Sequence, residues 1–194
     1  MTGEHKLLQE RLTSVIRRFP QRRILVVGDS VADQFIYGAI SRVSREAPVF
    51  ILRHEHTETT PGGAANCAMN LASLGARVAL ISLAGEDEAG RILVGKLAAA
   101  GVDCSGVLTS PELQTTTKVR VLAGQANSTR QQVIRIDYEG KTLTNPELRA
   151  SLQERVREHT RAADAVIISD YNYGVADTET TAIVRTAASE RGLP

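Results

Sequence analysis

Three short runs of apolar residues recur along the chain, and each is followed closely by small or acidic residues. The runs cover residues 24–27, 78–83 and 165–168. Continuous apolar runs of this length are typical of strands buried on both faces, as in a parallel sheet covered by helices. Such sheets bind ligands beyond the carboxyl ends of their strands. Candidate chemistry is therefore expected just after each run.

Helical spacing of apolar residues separates these runs. The predicted helices cover residues 1–19, 64–74, 87–100, 145–161 and 177–191. Asn145 and Pro146 provide a helix cap and a first helical residue, and Gly192 is expected to end the last helix. The first helix is expected to pack against the rest of the fold. Alternating strands and helices predict an α/β fold with a doubly wound, mostly parallel sheet flanked by helices.

Four further segments have β-branched or alternating apolar residues without a helix between the members of each pair. They cover residues 35–37, 49–53, 115–122 and 131–138. Polar, turn-rich sequence joins each pair, which favours antiparallel strands. We interpret them as a small antiparallel sheet outside the main layer, forming a lid from about 35–60 and 115–138.

The last two residues, Leu193 and Pro194, stand where an alternating chain should continue as another buried strand. The carboxyl-terminal part of the fold is therefore expected to be missing. Either the chain is a fragment of one domain or another chain completes the sheet.

Composition excludes several function classes. The 194 residues contain 23 Lys plus Arg and 22 Asp plus Glu, a net charge of +1, which argues against a nucleic-acid partner. No apolar run approaches the roughly 20 residues of a membrane span. Cys67 and Cys104 lack CxxC spacing, which favours buried thiols in a reducing compartment. A soluble cytoplasmic protein is expected.

Two motifs with possible chemistry have simpler interpretations. Residues 90–97 nearly spell a phosphate-binding loop, but Leu97 replaces the required hydroxyl and the pattern favours a helix. His54 and His56 could share one strand face as metal ligands, with Glu55 and Glu58 nearby. No third convergent ligand can be assigned, so solvated surface is favoured.

Residues 61–66, Pro-Gly-Gly-Ala-Ala-Asn, are more specific. Gly62 and Gly63 before a helix let the backbone approach a ligand closely, and the helix start offers unpaired N–H donors. Asn66 adds a donor and an acceptor that suit sugar hydroxyls. A plain turn followed by a closely packed helix remains an equal alternative.

Acidic residues follow the first apolar run. Asp33 could accept two hydroxyl hydrogen bonds from a polyol bound at the end of the sheet. The alternative for Asp29 and Asp33 is a helix cap for one and exposed charge for the other, and Asp29 is the one for which a structural role is favoured. Asp87 is expected to cap the helix that follows it.

Together these residues resemble the signature of the ribokinase-like (PfkB) carbohydrate kinases. The matching positions are Gly62, Gly63, Ala64, Ala65, Asn66, Ala68, Gly75 and Gly85. Within that family the closer likeness is to heptose-7-phosphate kinases, whose segments appear in order from about residue 24 to 194. The segments are 28–29 with Asp33, 37–38, 41–44, 46–49, 61–70, 117–122, 132–137 and 169–171.

The resemblance implies transfer of the ATP γ-phosphoryl group, with magnesium, to O1 of heptose 7-phosphate in ADP-heptose (lipopolysaccharide core) biosynthesis. It implies that a closing lid covers the sugar and that the lid also forms a homodimer. The sugar would be held by Asp33, Gly62, Gly63 and Asn66, and its phosphate by Lys118, Arg120 and Arg135. For the three cations, solvated strand charge is an open alternative.

The resemblance also places the catalytic base beyond Pro194, so the chain is expected to be inactive alone. A non-catalytic sugar-phosphate-binding protein, or a partner of a kinase, is the alternative function. Two departures from heptose kinases stand out: Tyr173 precedes Gly174 where a lysine is usual, and residues 123–129 resemble an insertion.

Overall fold

The chain folds into two four-stranded sheets with five helices, as seen in a computed structural model that describes residues 3–124, 129–140 and 143–194. For residues 3 and 4 only the backbone is described. The helices are α1 (Gly3–Ile16), α2 (Ala64–Ser73), α3 (Glu88–Ala99), α4 (Pro146–Ala162) and α5 (Thr178–Arg191). The strands are β1 (Arg23–Gly28), β2 (Ser30–Val43), β3 (Phe50–Gly63), β4 (Arg77–Gly85), β5 (Val107–Ser110), β6 (Thr117–Gly124), β7 (Gln131–Tyr138) and β8 (Ala165–Ser169).

The main sheet has the strand order β5-β4-β1-β8, and its strands are parallel. Alternate residues of β1 point into two separate apolar clusters. Ile24 and Val26 pack with residues of α2 and α3, whereas Leu25 and Val27 pack with residues of α4 and α5. Burial on both faces explains the continuous apolar run in the sequence and confirms the doubly wound parallel sheet.

The predicted helix ends are confirmed to within a few residues. The side chain of Asn145 accepts hydrogen bonds from Glu147 and Leu148 at the start of α4. Gly192 ends α5 with a φ of 61°, which a glycine adopts without strain. Strand β5 was not predicted, because its four residues are too few to show a period.

Asp87 caps α3, as predicted, and also ties this helix to the segment before β6. Its carboxylate accepts the backbone N–H groups of Gly90 and Thr115, each at 2.8 Å. Burial acts to raise the pKa of Asp87, but these hydrogen bonds outweigh burial and hold the pKa below its usual value. The ionised form of Asp87 is therefore the one that stabilises this junction.

The prediction that α1 packs against the fold is wrong. Its apolar side chains at Leu7, Leu8, Leu12, Val15 and Ile16 are 48–61% exposed. The 3-10 turn that follows (Phe19–Gln21) does reach the core, because Phe19 packs against the cluster beside α2 and α3. Helical periodicity identifies an apolar stripe, but it does not say which surface covers that stripe.

The second sheet, which we call the outer sheet, has the order β3-β2-β6-β7. Its β2–β3 and β6–β7 pairs are antiparallel, but β2 and β6 are parallel. The two predicted antiparallel pairs are therefore confirmed, and the parallel contact between β2 and β6 makes the sheet as a whole mixed. The chain passes through α2, β4, α3 and β5 between β3 and β6, and this long crossover allows β6 to run in the same direction as β2.

Strands β2 and β3 are each fourteen residues long, far longer than predicted. Gly62 and Gly63 consequently end a strand instead of forming a free turn. Half of the residues of β3 are exposed, six of them consecutively, so its sequence lacks the alternation that would have revealed its length. The predicted insertion at 123–129 lies mostly outside the described residues, and only Ala123 and Gly124 belong to β6.

The two thiols, Cys67 and Cys104, are free and half-buried. Burial raises the pKa of both, and at Cys104 the charge of Asp103 adds to the effect. Both thiols are therefore poor nucleophiles at neutral pH. Among the described helices none is long and apolar enough to cross a membrane.

Candidate functional site

One face of the outer sheet collects most of the predicted site residues. Residues that are register partners project to the same side of a sheet, so two rows can be followed across all four strands. The first row is Thr60, Asp33, Lys118 and Asp137, and the second is Glu58, Phe35, Arg120 and Arg135. We call these eight residues the charged face. It brings together Asp33, Lys118, Arg120 and Arg135, four of the seven candidates.

Asp33 lies near the centre of the charged face. Its Oδ1 accepts a hydrogen bond from Nη1 of Arg120 at 2.5 Å, and both side chains are 23% exposed. The Arg120 guanidinium also lies 5.3 Å from the ring centroid of Phe35, within cation–π range. Arg120 thus fixes the orientation of the Asp33 carboxylate and leaves the other oxygen, Oδ2, available.

Gly62 adjoins that second oxygen. A Cβ atom at Gly62 would lie 2.2 Å from Oδ2 of Asp33, which is closer than atoms can approach. Gly63 has a φ of 57°, and a Cβ there would lie 2.3 Å from the carbonyl oxygen of Asp29. Both glycines therefore permit close approach, while the approach of a ligand stays a prediction. What they admit in this structure is the carboxylate of Asp33 and the backbone of Asp29.

Asn66 is not part of the charged face. It lies on the first turn of α2, is exposed, and accepts a 3.5 Å hydrogen bond from the side chain of Asn70. Its position one turn after Gly63 leaves its amide at the start of the helix, where N–H donors are unpaired.

Lys118 connects the charged face to the main body of the fold. Its Nζ lies 5.7 Å from the ring centroid of Tyr173, a residue of the loop between β8 and α5. A cavity of about 560 Å³ adjoins this loop and is lined by residues that include Glu139, Asp170 and Tyr173. The contact places Lys118 beyond the carboxyl end of β8, the edge at which parallel sheets bind ligands.

Asp29 anchors the loop that carries Tyr173. The side chain of Asp29 is 1% exposed and accepts the backbone N–H groups of Tyr171, Tyr173 and Val175 at 2.9, 3.1 and 2.9 Å. This confirms the structural role predicted for Asp29, although the residue holds a loop and does not cap a helix. The position of Tyr173 is therefore fixed by a buried carboxylate.

Arg135 stands at the outer edge of the charged face, on β7. Its Nε and Nη2 contact the two carboxylate oxygens of Asp137 at 2.9 and 3.0 Å. Such a two-point pair orients the guanidinium and neutralises it locally.

Sequence reasoning missed Phe35, Asp137 and Tyr173 as parts of the site. Phe35 and Asp137 follow Asp33 and Arg135 at a spacing of two, so strand alternation could have assigned them to the same face. No local signal marks the contact of Tyr173 with Lys118, because it joins two segments distant in sequence.

The two weaker motifs adopt their simpler interpretations. The segment that resembled a phosphate-binding loop, residues 90–97, lies entirely in helix α3, from Glu88 to Ala99. His54 and His56 are exposed. His56 stacks on Tyr37 with ring centroids 4.2 Å apart, and Nε2 of His54 hydrogen-bonds the hydroxyl of Thr57 at 2.9 Å.

A site for ATP and magnesium needs free backbone N–H groups for the phosphates and oxygen ligands for the metal. Within them no three His, Cys, Asp or Glu side chains converge in a way that could hold a metal ion. The one glycine-rich segment with phosphate-loop spacing is helical, so its backbone N–H groups are not free to cradle phosphates. Neither ATP nor magnesium can therefore be assigned to particular residues of the described chain.

Comparison with known proteins identifies relatives over most of the chain. The model of the pfkB family carbohydrate kinases matches residues 21–192. A protein named "Bifunctional protein HldE" from Gluconobacter oxydans is 39% identical over 173 residues, which is 89% of this chain and 35% of that protein. Its namesake from Vibrio vulnificus is 44% identical over 152 residues, 78% of this chain and 30% of that protein.

Solved structures show the same fold. A putative phosphofructokinase from Staphylococcus aureus superposes with a TM-score of 0.64 at 16% identity, covering 88% of this chain and 51% of that one. Ribokinase of Arabidopsis thaliana, complexed with ribose and ATP, superposes with a TM-score of 0.58 at 19% identity, covering 89% and 52%. The chain thus spans about a third of these curated relatives and about half of these solved structures.

Proposed function

The chain belongs to the pfkB family of carbohydrate kinases, and from this membership we propose that it forms the sugar-binding part of an ATP-dependent heptose 7-phosphate kinase. The identity of 39% and 44% to proteins named HldE supports a heptose phosphate as the acceptor. The hydroxyl phosphorylated would be O1, and the product would serve ADP-heptose and lipopolysaccharide core synthesis in the cytoplasm.

The observation that carries the proposal is the position of Asp33 against Gly62. Oδ1 of Asp33 is held by Arg120, whereas within the described residues Oδ2 has no hydrogen-bond donor. A carboxylate that is oriented, that belongs to a partly exposed side chain and that has one oxygen unpaired is suited to accept hydrogen bonds from sugar hydroxyls. Gly62, Gly63 and Asn66 would line the sugar beside it. Lys118, Arg120 and Arg135 lie on the same face and are the candidates for binding the phosphate that the sugar already carries.

We further propose that the outer sheet is the lid of a single kinase domain, formed by about residues 35–60 and 115–138. The contact between Lys118 and Tyr173 supports this proposal, because it joins the outer sheet to a loop at the ligand-binding edge of the main sheet. A sugar between the two would be shielded from water.

Phosphoryl transfer depends on positioning and on stabilising the charge of the transferred group. Since no described residue can be assigned to ATP or magnesium, we propose that the 194 residues bind sugar but do not transfer phosphate by themselves. The catalytic base would lie outside this chain.

The direct test is titration calorimetry of the purified chain with heptose 7-phosphate, followed by an assay for ADP formation with ATP, magnesium and the same sugar. We expect saturable binding and no sugar-dependent ADP. Absence of binding would refute the proposed acceptor, and ADP formation would refute the proposed inactivity.

The other face of the outer sheet supports a proposal about assembly. The residues opposite the charged face include Val119, Val121, Ile134, Ile136 and Tyr138, which are register partners or near neighbours on β6 and β7. Ile134, Ile136 and Tyr138 are 43–52% exposed. We propose that this apolar face pairs with its counterpart in a second copy, so that the lid also forms a homodimer.

Replacing Ile136 with lysine is expected to convert the dimer to a monomer, because a charge at the centre of an apolar interface loses its water without gaining a partner. Sedimentation velocity would measure the change. Leu12→Lys on α1 is the matched control, since Leu12 is also an exposed apolar residue. Dissociation by the control, but not by Ile136→Lys, would place the interface on α1 instead.

A further inference from the structure

The three cations of the charged face are not equivalent. Arg120 is paired with Asp33, and Arg135 is paired with Asp137 through two contacts. Lys118 has no carboxylate partner among the described residues. Its contact is the ring of Tyr173, which attracts the ammonium without using its N–H donors.

Neighbouring acids form no ion pair with Lys118 within the described residues. Asp33 is its register partner on β2, but the ion pair of Asp33 is with Arg120. Asp137 is the register partner of Lys118 on β7, but its two oxygens contact Arg135. Glu58 lies on β3 with β2 in between, about 10 Å from β6 at the usual strand spacing. Lys118 is therefore the cation of the charged face that can take an anion without first breaking an ion pair.

The Lys118 ammonium is also positioned before any ligand binds. It is half-buried, and the ring beneath it belongs to a loop whose backbone is held by the buried carboxylate of Asp29. A lysine side chain loses considerable rotamer freedom when it binds a ligand. Packing on Tyr173 restricts Lys118 before the ligand arrives, which reduces that cost.

We infer that Lys118 is the residue that recognises the phosphate monoester of the sugar, and that Tyr173 is a positioning residue that holds the Lys118 ammonium for it. Arg120 acts through Asp33 on the sugar hydroxyls, and Arg135 is neutralised by Asp137. This inference rests on the proposed function, because it assumes that a sugar phosphate binds at the charged face. It assigns selectivity for phosphorylated over unphosphorylated sugar to one contact between the outer sheet and the main body.

The test is calorimetry with two ligands, heptose 7-phosphate and the same heptose without phosphate. The readout is the selectivity ratio, which is the dissociation constant of the free heptose divided by that of heptose 7-phosphate. Lys118→Met is expected to weaken binding of the phosphorylated sugar about 10- to 100-fold, the usual range for a charged hydrogen bond, with less than about a twofold change for the free heptose. Lys96→Met, an exposed lysine on α3, is the matched control and should change neither.

Tyr173 is tested in the same way. Tyr173→Leu is expected to lower the ratio about 3- to 10-fold, the range of a partly buried cation–π contact, whereas Tyr173→Phe should keep it because the ring remains. Arg120→Gln should weaken both ligands alike and leave the ratio unchanged. Thermal unfolding of each variant shows whether the fold is intact, and a purely structural role of Tyr173 would move the midpoint without moving the ratio.

The inference is overturned if Lys118→Met leaves the ratio unchanged while the wild-type chain binds heptose 7-phosphate, or if Arg120→Gln changes the ratio more than Lys118→Met does. If the wild-type chain binds neither ligand, the proposed function itself is refuted, and the inference with it.

Discussion

Asp29→Ala is expected to destabilise the protein by about 3 kcal/mol or more, as measured by urea unfolding at neutral pH. The substitution leaves the N–H groups of Tyr171, Tyr173 and Val175 without an acceptor. The hydrogen bond from Val175 is buried and the other two are partly buried, and an unsatisfied buried group costs roughly 1–3 kcal/mol. The loop after β8 should lose its structure first, because three of its backbone N–H groups depend on the Asp29 side chain.

Two variants separate this effect from the mere loss of a charge. Asp29→Asn keeps the shape of the side chain and one acceptor oxygen. Its free energy of unfolding should therefore lie between that of the unmodified chain and that of Asp29→Ala. Asp164 is exposed and accepts a single backbone hydrogen bond, from Arg23 at 2.8 Å, so Asp164→Ala should cost about 1 kcal/mol. Equal losses for Asp29→Ala and Asp164→Ala would contradict the role assigned to Asp29.

Asp33→Ala is expected to weaken binding of heptose 7-phosphate by about 100-fold while leaving the unfolding free energy nearly unchanged. The carboxylate is the acceptor for sugar hydroxyls in the proposed site, and charge-assisted hydrogen bonds contribute roughly 1.5–3 kcal/mol each. Stability should change little, because the side chain is partly exposed and its ion pair with Arg120 lies near the surface. Calorimetry gives the affinity and urea unfolding gives the stability.

A suitable control is Glu55→Ala. Glu55 also lies in the outer sheet and is paired with an arginine, Arg130, but it lies outside the charged face. The Glu55→Ala variant should bind heptose 7-phosphate with a dissociation constant within about twofold of that of the unmodified chain. An affinity of the Asp33→Ala variant within the same limit would remove Asp33 from the site.

The parts of the fold that could be predicted are those determined by residues close together in the sequence. Strand β1 is buried on both faces, so its apolar run predicted it directly, and α4 was predicted from Asn145 and Pro146 at its start. The failures concern tertiary contacts. Periodicity showed the apolar stripe of α1 but not its exposure, and the parallel pairing of β2 with β6 depends on the whole segment between them.

The candidate site also combines features that the local sequence signals with features that depend on tertiary contacts. Asp33 and Gly62 were predicted because a strand end and a glycine pair are signals in the sequence, and the structure places them in contact. The pairing of Arg120 with Asp33 and the contact of Lys118 with Tyr173 span 87 and 55 positions of the chain. Neither could be deduced from residue types, because only the strand register and the loop after β8 bring these groups together.

The two unlike faces of the outer sheet limit how its length can vary. Side chains alternate along a strand, so gain or loss of one residue within 32–36 or 117–121 would exchange the charged and apolar faces from that point onward. The β2–β3 hairpin already contains register shifts between Tyr37 and Gly38 and between Ile40 and Arg42, farther from Asp33. Insertions and deletions that preserve sugar binding should therefore cluster at that distal end, or occur as even-numbered changes within the strands.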